Sequence, residues 1–183
     1  MSNPFSTIES LQSSSEFLFV VFYRGHWCPF CNAYLKDFQN IKEAIQAAHG
    51  VAVTITSEHP SHLEAMRSQT GFTGEMIADP ENTIAAEFKK RHRFTPAISD
   101  KKGYPHGMAQ PAVFVIQKNG TVVYQWAIEP ALMNLGGAKD RPSLSEIWED
   151  VQLKLNGQSP KIRKSYTKQS FFQVIGAKIA GTT

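Results

Sequence analysis

Two patterns of apolar positions divide the chain. FLFVVF at residues 17–22 and VAVTIT at residues 51–56 are short continuous apolar runs, rich in aromatic and β-branched side chains, as expected of strands buried on both faces. Between them Tyr34, Phe38, Ile41, Ile45 and Ala48 recur at helical spacing, and Gly50 supplies a stop signal. This predicts a β-α-β unit with two parallel strands. Upstream, Asn3 and Pro4 are placed to cap and open a short helix carrying Phe5, Ile8 and Leu11, a packing arm ended by the serines at 13–15.

Downstream, Ser61 and Glu64 read as a capping box for a short helix with Leu63 and Met66 on one face. Residues 75–79 read as a short strand and residues 80–91 as a helix with Ile84 and Phe88 inward. From 94 to 110 no periodicity survives, and Pro96, Gly103, Pro105 and Gly107 interrupt the segment. Loops of this length in compact domains are usually functional, so this one is expected to border the active site. The apolar runs 112–117 and 121–126 flank Lys118-Asn119-Gly120, the strongest short-range signal for a hairpin. Ser143 with Glu146 then opens a helix whose Leu144, Ile147, Trp148, Val151 and Leu155 fall on one stripe, and Gly157 ends it.

Both cysteines of the chain lie at the junction of the first strand and helix, in Tyr23-Arg24-Gly25-His26-Trp27-Cys28-Pro29-Phe30-Cys31. Pro29 suits the first helical position, where its missing N–H costs nothing, and this places Cys28 at the N-cap with Cys31 one turn on. The positive end of a helix favours a thiolate over a thiol, whose ordinary pKa is about 8.5. Cys28 is therefore expected to be the nucleophile and Cys31 the resolving thiol that attacks a mixed disulfide at Cys28. Arg24, and His26 if protonated, are placed to lower the Cys28 pKa further, although Arg24 reads equally well as a solvated surface cation. Two inert buried cysteines are the plain alternative, but a C-x-x-C directly after a hydrophobic strand is a specific redox context. A zinc site needs four ligands, and the sequence has no second C-x-x-C or spaced His pair.

Composition narrows the picture only a little. The chain has 183 residues, 42% of them hydrophobic, which fits one domain over residues 1–157, with a core from about 16. Residues 158–183 form a basic extension, where Lys161, Arg163, Lys164, Lys168 and Lys178 occur without an acid. Since the whole chain is at +3, the rest is slightly acidic, which argues against nucleic acid as a partner. The extension, with Tyr166, Phe171, Phe172, Val174, Ile175 and Ile179 among its lysines, is expected to pack as an arm or to contact a second copy in a homodimer. No apolar run reaches the length of a transmembrane helix, and the start Met1-Ser-Asn-Pro-Phe5 lacks a signal-peptide pattern. A reducing, cytoplasmic setting is expected.

The C-x-x-C opening the first helix, Pro111 directly before the penultimate strand, the Lys-Asn-Gly hairpin and the final helix together resemble the thioredoxin fold over roughly residues 16–157. This is an α/β class with a central mixed sheet flanked by helices. More particularly, Arg24-Gly25-x-Trp27-Cys28-Pro29-x-Cys31, together with the insertion containing Ala78-Asp79-Pro80-Glu81, is similar to the peroxiredoxin-like proteins of the alkyl hydroperoxide reductase and thiol-specific antioxidant superfamily. Pro29-Phe30 also resembles the dipeptide within the glutaredoxin motif. The thioredoxin resemblance implies a cis Pro111 beside Cys28 and Cys31, and exposed backbone around Gln110 that pairs with a substrate chain. It implies no cofactor, and renewal by an external thiol such as thioredoxin or glutathione.

There are departures. The proline and the threonine or serine that precede the peroxidatic cysteine of peroxiredoxins are replaced by Val21 and Gly25, and no arginine occurs between Arg93 and Arg141, where theirs is expected. Arg24 is the candidate stand-in. Phe22 occupies the place of the buried aspartate of thioredoxins, which leaves Glu58 or water to move the proton of Cys31. Three functions are compatible with these residues. The first is a thiol-disulfide oxidoreductase cycling Cys28 and Cys31 on protein or small-molecule disulfides, with Arg24, Trp27, Pro29, Gln110 and Pro111 in support. The second is a thiol peroxidase reducing hydroperoxides. The third is a non-catalytic redox-sensing module or metal clip.

Overall fold

The computed structural model describes residues 5–160. The first helix, α1 (Ser6–Ser13), precedes strand β1 (Phe17–Tyr23), which feeds the long helix α2 (Pro29–Ala47) and strand β2 (Gly50–Thr56). A 3-10 turn at Pro60–His62 leads into α3 (Leu63–Thr70), then β3 (Glu75–Ala78) and α4 (Thr83–His92). Two very short strands, β4 (Ile98–Ser99) and β5 (Met108–Ala109), precede the hairpin of β6 (Ala112–Gln117) and β7 (Val122–Ala127). Helix α5 (Leu144–Leu155) closes the fold. The main sheet has the order β3-β2-β1-β6-β7. Its β3-β2-β1 half is parallel, and its β1-β6-β7 half is antiparallel, so the sheet is mixed, with helices on both faces.

Strand β1 is buried at every position and splits the core by its pleat. Phe17, Phe19, Val21 and Tyr23 face one layer with Tyr34 and Phe38 of α2, Ile147, Trp148 and Val151 of α5, and both cysteines. Leu18, Val20 and Phe22 face the other, with Phe5 and Ile8 from the α1 segment and Ile84, Ala85 and Phe88 of α4. Phe88 is the centre of this second layer. Its ring meets Phe5, Phe22, Phe94 and Phe114 at centroid separations of 5.0, 5.7, 6.5 and 5.3 Å, in edge-to-face geometry.

Several element ends depart from their sequence signals. Helix α2 gives way at His49, which takes the left-handed conformation, and Gly50 begins β2 instead. Glycine is required at 50 for another reason, since a Cβ there would run into the Phe17 ring. Helix α1 starts after Phe5, and Asn3 and Pro4 lie outside the described residues. The predicted box at Ser61 and Glu64 does not form; the His59 ring accepts the Ser61 N–H, and α3 begins after His62. Helix α4 begins at Thr83 and not Pro80, because Asn82 turns left-handed. Its first turn is capped from outside by buried Asp79, whose carboxylate accepts from the Thr83 hydroxyl and the Ala85 N–H, both at 3.0 Å. At α5 the Ser143 hydroxyl pairs with Ser145 and caps nothing.

Two expectations for the 110–111 step are corrected. The described residues contain no cis peptide bond, so the Gln110–Pro111 bond is trans. The preference of an X-Pro bond for trans is only about 0.5–1 kcal/mol, and here the surrounding pairing is extended: Gln110 N–H donates to Ala97 at 2.8 Å, and the Pro111 carbonyl accepts from Ile128 at 3.0 Å. Gln110 is also wholly buried, so its backbone is not an exposed edge for a substrate chain.

Truncating Phe88 to alanine removes the shared ring of the second layer. It is expected to destabilise the fold by roughly 3–5 kcal/mol, read as a lowered midpoint of urea unfolding at unchanged slope.

Candidate active site

The site forms where β1 and β2 end. Their parallel register pairs Tyr23 with Thr56, so the next residues after each strand, Arg24 to Cys28 and Ser57 to Glu58, leave the sheet side by side. The antiparallel partner β6 brings Ala112 opposite Phe22, and with it Pro111, which is buried at the same end of the sheet.

Cys28 occupies the N-cap of α2 with Pro29 in the first turn, as the sequence implies. Its carbonyl accepts from the N–H groups of Cys31 and Asn32, both at 3.0 Å, and its own N–H donates to Gly25 at 3.1 Å. The Asn32 side chain ties the loop down by donating to the carbonyls of His26 and Cys28. Both cysteines are free thiols and both are buried, Cys28 at 1% exposure and Cys31 at 0%.

Electrostatics divide the pair in a way the helix N-terminus alone does not predict. The hydrogen bond from Cys28 to Cys31, and then burial, push the Cys28 thiol up, contrary to the expected lowering. Burial also raises Cys31, but the hydrogen bond from Cys28 and the charge and N–H of Arg141 outweigh it, and the backbone N–H of Arg24 adds to them. Cys31 is held well below the usual thiol range. Arg141, which bonds to Cys31, favours an anion at that sulfur.

Arg141 is the residue that sequence reasoning missed. It comes from the irregular loop between β7 and α5, is 2% exposed, and points its Nη2 at Cys31 Sγ, 3.3 Å away. Its remaining hydrogen bonds reach the carbonyls of Ala138 at 2.9 Å and Phe30 at 3.4 Å. The Tyr34 ring lies 5.3 Å from its Cζ, and the Tyr34 hydroxyl donates to Pro142, fastening this loop to α2. Gln110 closes the other side of the loop, since a Cβ on Gly137, which has φ of +91°, would collide with its side-chain oxygen.

The mouth of the site is built differently. Trp27 is 40% exposed; its Nε1–H donates to Tyr104 Oη at 2.8 Å, with Arg24 Cζ at 5.3 Å and Lys101 Nζ at 4.9 Å from its ring centroid. Tyr104 Oη also lies 3.0 Å from the Arg24 carbonyl and 3.3 Å from Glu58 Oε1. The aperiodic segment therefore does border the site, through Tyr104. Glu58, 5% exposed, accepts from the His26 backbone N–H at 2.8 Å and lies 2.7 Å from His26 Nδ1, while the His62 ring stacks on His26 at 4.5 Å. These groups converge on Gly25: a Cβ there would lie 2.6 Å from Glu58 Oε1, Trp27 Nε1 and Tyr104 Oη alike. A side chain at this position would have to displace those three polar ends.

Each sequence-predicted residue thus has a place. Cys28, Cys31 and Pro29 form the redox turn, Trp27 and Arg24 form its mouth, and Gln110 and Pro111 lie in the buried floor. Arg24 sends only its backbone N–H to a sulfur, and the guanidinium at the cysteines is that of Arg141. Among the described residues no group of three or more His, Cys, Asp or Glu side chains is placed to hold a metal ion, and no helix is long and apolar enough to cross a membrane.

The chain is similar to several solved structures. AhpC of Enterococcus faecalis matches with a TM-score of 0.58 at 18% identity over 81% of each chain. The reduced 2-Cys peroxiredoxin of Plasmodium vivax matches with a TM-score of 0.63 at 11% identity, over 81% of this chain and 82% of its own. The peroxidoxin BcpB of Mycobacterium tuberculosis matches with a TM-score of 0.54 at 16% identity, over 65% of this chain and 71% of its own. At these identities the likeness is one of fold. No curated protein matches the chain. The AhpC/TSA family model matches residues 5–125, well over half of the chain and inclusive of the whole Arg24 to Cys31 turn. By that match, the chain belongs to the AhpC/TSA family of thiol-dependent oxidoreductases.

Proposed function

We propose that this oxidoreductase cycles Cys28 and Cys31 between a dithiol and an intramolecular disulfide, with Cys28 as the sulfur that meets substrate and an external thiol as the reductant. The observation that carries the reading is the placement of the pair, with Cys28 at the N-cap of α2, Cys31 one turn on, and the Arg141 guanidinium behind the inner sulfur. A sulfur at the N-cap stands outside one at the next turn, which fits an outer attacking and an inner resolving role. Trp27 and Arg24 supply the rim a substrate crosses.

A hydroperoxide is the oxidising substrate that the burial of Cys28 favours. A sulfur with 1% exposure is reached by a small oxidant with little rearrangement, whereas a protein disulfide needs the N-cap turn to open. In that case the Cys28 sulfur takes the terminal oxygen of ROOH to form a sulfenic acid, and ROH leaves. Cys31 then attacks the Cys28 sulfur, the S–O bond breaks and water leaves. Disulfide exchange at Cys28 uses the same second step, with a thiolate in place of hydroxide as the leaving group.

Replacing Cys28 with serine is expected to reduce turnover to background. Replacing Cys31 with serine is expected to leave the first step intact and to trap Cys28 as a sulfenic acid or mixed disulfide, identified by intact-protein mass. Turnover retained without Cys28 overturns the proposal. Stopped-flow fluorescence of the reduced protein, with Trp27 beside the reacting sulfur and Cys28→Ser as control, is expected to show a Cys28-dependent phase with hydrogen peroxide that is far faster than the phase with a bulky aromatic disulfide. The reverse order of rates assigns the oxidising role to disulfides.

A further inference from the structure

Residues 100–107 form a strap between β4 and β5, whose own pairing is short, Ile98 with Ala109 and Ser99 with Met108. The base of the strap is fastened from the side of α4 and β2. Asn82 Nδ2 donates to the carbonyls of His106 and Gly107 at 2.8 and 3.0 Å, while Ser57 Oγ lies 2.6 Å from Asn82 Oδ1 and accepts the Ala109 N–H at 2.9 Å. The tip is held differently. Residues 100–106 are exposed except for Tyr104, which is half-buried, and among the described residues its hydroxyl is the tip's one side-chain hydrogen-bonding group with partners elsewhere. The Trp27 Nε1–H donates to it at 2.8 Å, and the Arg24 carbonyl and Glu58 Oε1 lie 3.0 and 3.3 Å away as acceptors. Arg24 and Trp27 bracket the turn that the Cys28 N–H closes by donating to the Gly25 carbonyl at 3.1 Å. One hydroxyl thus grips both sides of the turn that carries the N-cap sulfur.

We infer that Tyr104 is a specificity-determining residue, whose hydroxyl latches the strap to the redox turn and so limits the size of the oxidant that reaches Cys28. The inference rests on the reading above, in which Cys28 is the sulfur that meets substrate. Cys28 is 1% exposed, and a hydroperoxide needs only its terminal oxygen at the sulfur. Exchange with a disulfide is more demanding, because the attacking sulfur must line up with both sulfurs of the substrate, each of which carries its own substituent. The turn has to swing outward for that, and Tyr104 must first let go of the Arg24 carbonyl and the Trp27 indole. A hydroxyl has one proton to donate, so the Arg24 carbonyl and Glu58 share it while the indole donates to the oxygen. Opening exchanges these partners for water, so its cost is modest and the latch can open without unfolding the domain. Lys101 Nζ, 4.9 Å from the Trp27 ring centroid, adds a weaker and exposed contact from the same tip.

The test compares single-turnover rate constants of the reduced full chain with hydrogen peroxide and with disulfides of increasing size, from hydroxyethyl disulfide to a bulky aromatic disulfide. In the parent protein the rate is expected to fall steeply with disulfide size. Tyr104→Phe keeps the ring and removes only the hydroxyl. It is expected to raise the ratio of the bulky-disulfide rate to the peroxide rate about tenfold, equivalent to about 1.4 kcal/mol, and to flatten the dependence on size. Gly25→Ala reaches the latch from the other side. Gly25 is not left-handed, so alanine fits the backbone, and its methyl falls where the ends of Glu58, Trp27 and Tyr104 meet. The same ratio is expected to rise, and the double variant to go no further than the larger single effect, since the latch can be lost only once. A ratio that Tyr104→Phe leaves unmoved, or additive gains in the double variant, overturns the inference. Low concentrations of urea separate a latch from general loosening. The bulky-disulfide rate is expected to rise with a slope that is a small fraction of the unfolding slope, and a rise with the full unfolding slope overturns the inference. If Cys28→Ser reacts undiminished, the dithiol reading fails and the latch with it; if Cys28 is required and the ratio does not move, the latch alone fails.

Discussion

The molecule depends on one strand being buried on both faces. β1 contributes seven consecutive buried residues, and its pleat sends alternate side chains into two separate aromatic layers. Because the strand is central, its neighbours β2 and β6 are fixed in register on either side, and the chain leaving its carboxyl end emerges at a defined point. That stretch of chain is the redox turn. The layer beneath α2 is continuous with the cysteines, so the packing that orders Tyr34, Phe38 and Trp148 also sets the depth at which the two sulfurs lie.

Above and below this turn the environment changes sharply. The mouth is a polar network in which Trp27, Tyr104, Glu58 and His26 bond to one another around a glycine, with Arg24 and Lys101 over the indole. The floor is apolar and holds the Arg141 guanidinium against Cys31. Low local polarisability strengthens that contact, because a charge pair in a buried site is screened far less than one at the surface. The two arginines nearest the site therefore differ in kind. Arg24 lies over an exposed ring and acts at sulfur through its backbone, whereas Arg141 acts through its charge.

Periodicity made the large elements legible. The double-buried runs of β1 and β2, the stripe of α2, the Asn-Gly hairpin and α5 were all evident in the order of apolar residues, and so was the placement of Cys28 at a helix start. The site was legible only as far as it is local. Arg141 is 110 positions from Cys31 in sequence and sits in Lys139-Asp140-Arg141, which reads as a solvated charge cluster; nothing local distinguishes it from a surface arginine. Gln110 was misplaced because β4 and β5 have two residues each, too short to show alternation, yet the chain leading into β4 claims its backbone N–H. Tyr104 was covered only by the general rule that long aperiodic loops border sites. Capping signals failed where a distant side chain does the work, as Asp79 does for α4.

The buried guanidinium also has an electrochemical consequence. It lies against the Cys31 sulfur while the cysteines are free, but if the two sulfurs are joined as in the proposed cycle, only neutral carbonyls remain among its hydrogen-bond partners. Under that proposal the contact favours the reduced protein over the oxidised one, and a couple whose reduced form is stabilised is the more oxidising. For a two-electron couple, each 1.4 kcal/mol of such asymmetry shifts the reduction potential by about 30 mV. In the proposed cycle Arg141 would make the disulfide easier for an external thiol to reduce, from a position sealed away from water where salt does little to weaken it.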